Sequence, residues 1–303
     1  MPPSRQFYDP RPPLKRLSAP ALMATDLPER EVILGPILAR KSLVLLYGPR
    51  GLGKTFVALG IAWAAASGGS FLKWRAGEPR RVLYVDGEMA AVDMKRRLAM
   101  LGDAPASLDL ILADLHADCL PDLGDQRGQE ALVRSWNRPE LIVLDNLASL
   151  VGFRTGSHDR WLPMQRFLMI LRRAGAAVLV VHPANKKGAQ RGTSRREDVL
   201  DTVIAIRRPA DYEPGQGARF ELHFEKARGL LGEAVDPIEA RLETDTAGQA
   251  QWSWRPAQQS ELDRAVALLK SGLNPSQVSR ELGISMARSY RLRARAAEKG
   301  LLE

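Results

Sequence analysis

Short apolar runs alternate with helix-like segments between residues 31 and 245. The runs are continuous rather than alternating, as in strands that are buried on both faces of a parallel sheet. They lie at 42–47, 81–85, 108–113, 141–144, 177–181 and 203–206. The segments with helical character between them lie at 54–66, 92–101, 126–136 and 162–174. This alternation predicts an α/β domain over 31–245, with a mainly parallel central sheet flanked by helices.

The two ends of the chain follow other patterns. Residues 1–30 contain seven prolines, which favour an extended arm or linker. Two later runs, 220–224 and 238–243, predict a hairpin added to the edge of the sheet. Residues 246–259 are polar and rich in turn formers, so we expect a linker there. We expect a small all-α domain over 260–303.

Helix start signals divide that last segment into three helices. Ser260 with Asp263 predicts a capping box, and Asn274 before Pro275 predicts a second helix start. Ser285 is placed to cap a third helix. Two helices joined by a short turn predict a helix-turn-helix unit.

A glycine-rich segment joins the first central strand to the first central helix. It matches G-x-x-x-x-G-K-[ST], and its residues are Gly48, Pro49, Arg50, Gly51, Leu52, Gly53, Lys54 and Thr55. A strand before it and a helix after it are the context in which backbone N–H groups surround phosphates. We therefore predict an ATP site that includes these residues and the following Phe56. Lys54 would reach the β- and γ-phosphates, and Thr55 would hold Mg²⁺.

Charged residues follow three further strands. Asp145 follows 141–144 and is our candidate for the Mg²⁺ shell, although aspartate there is also a common helix N-cap. Glu88 follows 81–85 and is our candidate for the base that activates water. Asp86 is the competing candidate for that role. The alternative for Glu88 is that it only caps the following helix. His182 follows 177–181; it either senses the γ-phosphate or is merely structural.

In this order, these motifs resemble a RecA-type ATPase core over roughly residues 25–245. The layout is similar to RepA-type plasmid replicative helicases and related RecA-like ATPases of mobile elements, within the DnaB/KaiC group. The resemblance implies that Glu88 is the catalytic base, that Asp145 belongs to the Walker B strand and that His182 is the sensor. It also implies a homo-oligomeric ring or spiral, most simply a hexamer, with ATP between subunits.

The same resemblance suggests three further roles. Segment 186–198 corresponds to a loop that binds single-stranded DNA, with basic residues Lys186, Lys187, Arg191, Arg195 and Arg196. Lys226 and Arg228 correspond to a pair that completes a neighbour's ATP site, although strand-end charges can also be simple surface. Arg97 corresponds to an arginine that packs on adenine. We expect no counterpart of the N-terminal collar domain of DnaB and an added helix-turn-helix, two departures that weigh against processive unwinding.

The net charge of +9 agrees with an anionic partner, most simply DNA. Residues 183–197 contribute +4, residues 256–303 contribute +3 and the arm contributes +2. Within the predicted last helix, Ser285, Arg288, Ser289 and Arg291 are candidates for duplex DNA contacts. The alternative is a helical cap whose arginines are solvated.

The composition indicates the cellular compartment of the protein. The longest apolar run has eleven residues, at 56–66, where a bilayer span needs about 18. The first ten residues lack the apolar region of a secretory signal, and the one cysteine, Cys119, permits no internal disulfide. We expect a cytoplasmic protein without a membrane partner.

Two functions remain open at this point. The first is an Mg²⁺-dependent ATPase that works on DNA as an oligomer, for instance a replicative helicase. The second is an ATP-switched regulator that binds DNA through the helix-turn-helix without unwinding it.

Overall fold

A computed structural model describes residues 15–117, 120–152, 161–184, 199–209 and 211–302. The chain divides into two compact units, Met1–Arg30 and Glu31–Glu303. In the first unit, helix α1 (Ala19–Met23) is capped by Ser18, whose hydroxyl accepts from the Ala21 N–H at 3.3 Å. Cys119 lies outside the described residues.

A nine-stranded sheet is the centre of the second unit. Its strands are β3 (Leu43–Gly48), β6 (Val82–Asp86), β7 (Leu108–Leu112), β8 (Leu141–Asp145), β9 (Ala177–Pro183), β10 (Thr202–Arg207), β11 (Ala218–Ala227), β12 (Ile238–Thr244) and β13 (Ala250–Pro256). The spatial order is β13-β12-β11-β10-β3-β9-β8-β6-β7. The strands from β10 to β7 pair in parallel, and β11 to β13 add an antiparallel edge. The α/β fold with a mainly parallel sheet is therefore confirmed.

Helices cover both faces of this sheet. They are α2 (Lys54–Ser67), α3 (Ala91–Ala99), α4 (Gln126–Ser135), α5 (Leu147–Leu150) and α6 (Trp161–Arg173). One apolar cluster joins α2 to the face of Val44 and Leu46, and another joins α6 to the face of Leu43 and Leu45. Strands that are apolar at every position become buried on both faces in this way.

Two short hairpins extend this unit beyond the predicted elements. They are β1 (Val32–Leu34) with β2 (Leu38–Ala39), and β4 (Ser70–Phe71) with β5 (Trp74–Arg75). Strands of two or three residues leave too short a pattern to be seen in the sequence.

Segment 246–259 is not the linker that we expected, because it contains β13 and the start of α7 (Ala257–Lys270). The reason is the packing of Trp252. Its ring lies edge-on to Phe71 at 5.1 Å and to Phe220 at 6.0 Å, so one face of a polar segment is drawn into the core.

The C-terminal residues form three helices, α7, α8 (Pro275–Glu281) and α9 (Met286–Glu298). They enclose an apolar cluster of their own, which includes Leu262, Val278 and Leu292. Asn274 and Ser285 cap α8 and α9 as predicted. The predicted capping box at Ser260 is wrong, since α7 begins earlier at Ala257.

Helix α7 packs on the antiparallel edge through charged groups. Ser260 is fully buried and donates to Glu239 Oε2 at 2.6 Å. Arg264 donates to Asp211 at 2.7 Å and to Glu221 at 3.2 Å. Burial raises the pKa of Glu239, but hydrogen bonds from Arg219 and Ser260 outweigh it and hold that pKa below its ordinary value. This carboxylate therefore stabilises the fold at neutral pH, and its contribution is lost as the pH falls through its folded pKa.

We predict that Arg264→Met lowers the free energy of unfolding by about 2 kcal/mol, because it removes one cation of a largely buried network in which Arg219 still pairs with Asp211 and Glu239. Urea unfolding followed by circular dichroism measures the change. Arg241→Met is the matched control, since Arg241 makes an exposed ion pair with Glu243 and should change stability by less than about 1 kcal/mol. Equal effects of the two substitutions would show that the buried network contributes no more to the free energy of unfolding than an exposed ion pair does.

Candidate nucleotide-binding site

The phosphate loop leaves β3 and enters α2. A side chain at Gly48 would come within 2.7 Å of the Ile206 carbonyl oxygen, so the strand can end here only with glycine. Gly51 and Gly53 have φ angles of 75° and 97°, which glycine adopts without strain. Gly53 is the N-cap of α2 and gives it no side-chain hydrogen bond. The first N–H groups of α2 are thus available to an anion such as phosphate.

Lys54 begins α2 and folds back over this loop. Its Nζ donates to the Pro49 carbonyl oxygen at 2.7 Å. Burial lowers the pKa of Lys54, and the Asp145 carboxylate opposes that shift. The ammonium group therefore lies between the loop and the acidic strand ends.

Asp145 ends β8 and is 3% exposed. The Tyr84 hydroxyl donates to its Oδ2 at 2.7 Å, and the Thr55 hydroxyl also hydrogen-bonds to the carboxylate. Burial raises the pKa of Asp145, and these two hydrogen bonds oppose the rise. A carboxylate and a hydroxyl side by side are oxygen donors of the kind Mg²⁺ prefers. The pair therefore fits a magnesium site.

Asp86 and Glu88 have different surroundings in the turn after β6. Asp86 is 2% exposed, and its Oδ1 accepts from the N–H groups of Glu88 at 3.0 Å and Met89 at 2.6 Å. Burial raises the pKa of Asp86. Glu88 is exposed, and its Oε2 accepts from Asn146 Nδ2 at 2.6 Å. Asp86 thus shapes the turn, and Glu88 presents a carboxylate beyond it.

These groups surround a cavity of about 900 Å³. The predicted residues that line it are Arg50, Gly51, Gly53, Lys54, Thr55, Phe56, Glu88, Arg97 and Asp145. Leu52 belongs to the same loop, but its side chain is 7% exposed and packs in the core. Its contribution to a ligand would be its backbone.

The Arg97 guanidinium lies over the Phe56 ring, 4.4 Å from its centroid. This is the geometry of a cation–π contact. Phe56 therefore fixes Arg97 at the cavity wall, on the α3 side.

His182 lies in β9 and is 6% exposed. It pairs with Tyr47, the residue before the first glycine of the loop. The structure thus places His182 next to the base of the phosphate loop, as a buried strand residue.

Lys226 and Arg228 lie toward the end of the sheet where β3 begins. Lys226 pairs with Val203, which pairs with Leu45 of β3. The Arg228 N–H donates to the Asp201 carbonyl oxygen, and Asp201 is bonded in turn to Leu43. At about 3.3 Å per residue, the Arg228 backbone is roughly 16 Å from the level of Gly48. The Arg228 backbone is thus remote from the loop of its own chain, whereas Lys226 lies at the level of Leu45, three residues before Gly48.

The basic residues Lys186, Lys187, Arg191, Arg195 and Arg196 lie outside the described residues. In α9, Arg288 makes an ion pair with Glu261 at 2.8 Å and keeps a half-exposed side chain, and Arg291 is exposed. The expectation that Ser289 contacts DNA bases is wrong. Its side chain is buried and donates to the Pro275 carbonyl oxygen at 2.6 Å, which fastens α9 to α8.

Several residues of the site were not predicted from the sequence. Tyr84 was placed only as a strand residue, although a buried tyrosine hydroxyl usually needs a partner. Asn146 follows Asp145 directly and is a typical N-cap residue, a signal that could have been used. Gly217 and Ala218 also line the cavity, and nothing in their sequence indicates it.

No helix in the described ranges is long and apolar enough to cross a membrane.

Comparisons with known proteins give one family. The family described as an AAA domain matches residues 9–189. A search of curated proteins found no match. Two solved structures are similar at a TM-score of 0.49 each. A KaiC-like protein from the hyperthermophilic archaeon Pyrococcus horikoshii is 15% identical, over 75% of this chain and 99% of that one. The flagellar accessory protein FlaH from Methanocaldococcus jannaschii is 13% identical, over 70% and 90%.

We predict that Gly87→Ala lowers nucleotide turnover about 10- to 100-fold with little loss of nucleotide binding. A Cβ at Gly87 would come 2.5 Å from Ser149 Oγ and 2.8 Å from Leu150 Cδ2, so the turn that carries Glu88 and the start of α5 must shift apart. Phosphate release measures turnover. Gly77→Ala is the control, because a Cβ there meets nothing within 4 Å. Normal turnover by the Gly87 variant would show that the turn tolerates displacement.

Proposed function

The chain belongs to the AAA domain family, and from that premise we propose that it is an Mg²⁺-dependent ATPase with a RecA-like core that acts on DNA. One observation carries the proposal. The uncapped N-terminus of α2 and the carboxylates of Asp145 and Glu88 line the same cavity of about 900 Å³.

The phosphate-binding half of the site is built from α2 and its loop. Backbone N–H groups of the loop and the Lys54 ammonium bind the phosphates and offset their charge. Thr55 and Asp145 hold the metal, which when bound offsets negative charge on the phosphate oxygens. Arg97, held on Phe56, borders the space left for the adenine base of the nucleotide.

The hydrolytic half is Glu88. Its carboxylate lies at the cavity wall and is exposed, so it can accept a proton from a water molecule within hydrogen-bonding distance. Asp86 is committed to two backbone hydrogen bonds and is the weaker candidate. His182 is proposed to respond to the γ-phosphate through its position beside the loop.

We expect Lys54→Ala to abolish nucleotide binding, and Glu88→Gln to keep binding while turnover falls about 10²- to 10⁴-fold. The amide keeps the size of Glu88 but accepts no proton. A fluorescent ATP analogue measures binding, and phosphate release measures turnover.

Glu243→Gln is the matched control, since Glu243 is exposed near the end of β12 and makes a surface ion pair with Arg241. Full turnover by Glu88→Gln would remove Glu88 from the base role. Retained binding by Lys54→Ala would place the nucleotide elsewhere.

We propose that the active form is an oligomer, most simply a hexameric ring or spiral, in which Lys226 and Arg228 serve a neighbour's site. The distance of Arg228 from the loop of its own chain supports action in trans. An arginine supplied in trans can raise the rate by about 10³- to 10⁵-fold.

DNA is the proposed partner because positive charge is concentrated in segment 183–197 and in residues 256–303. Segment 183–197 has a net +4, and it follows β9 directly after the cavity edge. Movement along single-stranded DNA, as in a RepA-like helicase of a mobile element, would use this segment.

The second candidate is an ATP-switched DNA-binding regulator, and α9 favours it. Arg291, Arg293 and Arg295 are exposed on one capped helix, and Ser285 lies at its N-terminus. A helix of this kind fits the major groove of duplex DNA.

Charge replacement separates the two candidates. Replacing the five basic residues of segment 183–197 by glutamine should weaken single-stranded DNA binding. The slope of the log binding constant against log salt concentration should fall by about 0.7 per lost phosphate contact. The five residues are Lys186, Lys187, Arg191, Arg195 and Arg196. Glutamine at Arg291, Arg293 and Arg295 should do the same for duplex binding, by about 0.9 per contact. Fluorescence anisotropy against salt concentration measures both slopes. Turnover stimulated by single-stranded DNA favours the motor, and sequence-specific duplex binding that survives Glu88→Gln favours the regulator. Unchanged slopes for both variants would remove DNA contact from these residues.

A further inference from the structure

Asn146 makes two different hydrogen bonds with the two ends of its side-chain amide. Its Oδ1 accepts from the Ser149 N–H at 3.2 Å and caps α5. Its Nδ2 donates to Glu88 Oε2 at 2.6 Å. A cap requires only the oxygen, so the second bond is not explained by helix formation.

The ends of β6 and β8 are joined at this point by more than that bond. The Gly87 N–H donates to the Asp145 carbonyl oxygen at 2.9 Å. Gly87 also lies so close to Ser149 and Leu150 that no Cβ fits without movement. The backbone that carries Glu88 is therefore held against the start of α5, where Asn146 lies.

Glutamate in an exposed turn has three side-chain torsions, and fixing them costs rotamer entropy. A hydrogen bond to the ionised carboxylate is of the stronger, charge-assisted type. Asn146 is neutral, so it can orient Glu88 without adding a charge beside the proposed metal site. Asn146 lines the cavity together with Glu88.

We propose that Asn146 is the positioning residue of the hydrolytic half-site: it holds Glu88 in the orientation from which the carboxylate activates water. This inference rests on the proposed function of Glu88. Asn146 acts through Glu88 and is not itself a catalytic residue.

The test uses two substitutions that divide the two bonds. Asn146→Ser keeps a good N-cap but is too short to reach Glu88, whereas Asn146→Ala loses both. Each full-length variant is measured for kcat and KM with ATP, for binding of a fluorescent ATP analogue and for melting temperature. We expect Asn146→Ser to lower kcat about 10- to 100-fold, with KM, binding and melting temperature close to those of the natural chain. Asn146→Ala should show the same loss of kcat together with a lower melting temperature.

Asn274→Ser is the matched control. Asn274 caps α8 through the same kind of bond, from the Gln277 N–H at 3.0 Å, and lies in the C-terminal helices. It should leave kcat unchanged.

Normal kcat in Asn146→Ser, with a loss confined to the less stable Asn146→Ala, would overturn the proposal and leave Asn146 as a helix cap. A rise in KM without a change in kcat would also overturn it, since that would place Asn146 in substrate binding. Glu88→Gln distinguishes failure of the underlying function: if that variant keeps full turnover, the base role of Glu88 is wrong whatever the Asn146 variants do.

Discussion

The parallel pairing of the central strands is the constraint on which the site depends. Parallel strands bring their carboxyl ends to one edge of a sheet, and ligands bind at that edge. Here Asp86 pairs with Asp145, and Gly48 pairs with Pro183, within two residues of the same level. Residues that are far apart in sequence therefore meet around one cavity. A slip of one residue in any of these strands would turn the carboxylates away from the loop.

The same edge of the sheet also buries two carboxylates. Asp86 and Asp145 are almost fully buried, and burial of a charge is unfavourable unless donors compensate for it. Backbone N–H groups serve Asp86, and the Tyr84 hydroxyl serves Asp145. Glu88 remains exposed, with Asn146 as its donor. The site thus contains two desolvated acids and one exposed carboxylate. In the proposed mechanism Asp145 holds the metal, Asp86 shapes the turn and Glu88 activates water.

The sequence predicted the parts that depend on local pattern. Continuous apolar runs found the six parallel strands, and the G-x-x-x-x-G-K-[ST] spacing found the phosphate loop. It did not find β13, because the burial of Trp252 depends on distant aromatic partners. The sequence pattern assigned Ser289 to DNA contact, because a serine near the start of such a helix suits either a DNA contact or a buried contact between helices. Tyr84 and Asn146 were missed, since their roles are set by side-chain distances across strands that only the folded chain defines.

We propose that the cavity recognises the phosphates of a nucleotide through the α2 N-terminus and a metal held by Thr55 and Asp145. Isothermal titration of the full chain with ATP and with adenosine, each in Mg²⁺ and in EDTA, tests it most directly. We expect ATP to bind more tightly in Mg²⁺ than in EDTA, and adenosine to bind weakly and without metal dependence. Equal affinity for adenosine and ATP, or ATP binding that ignores the metal, would contradict it.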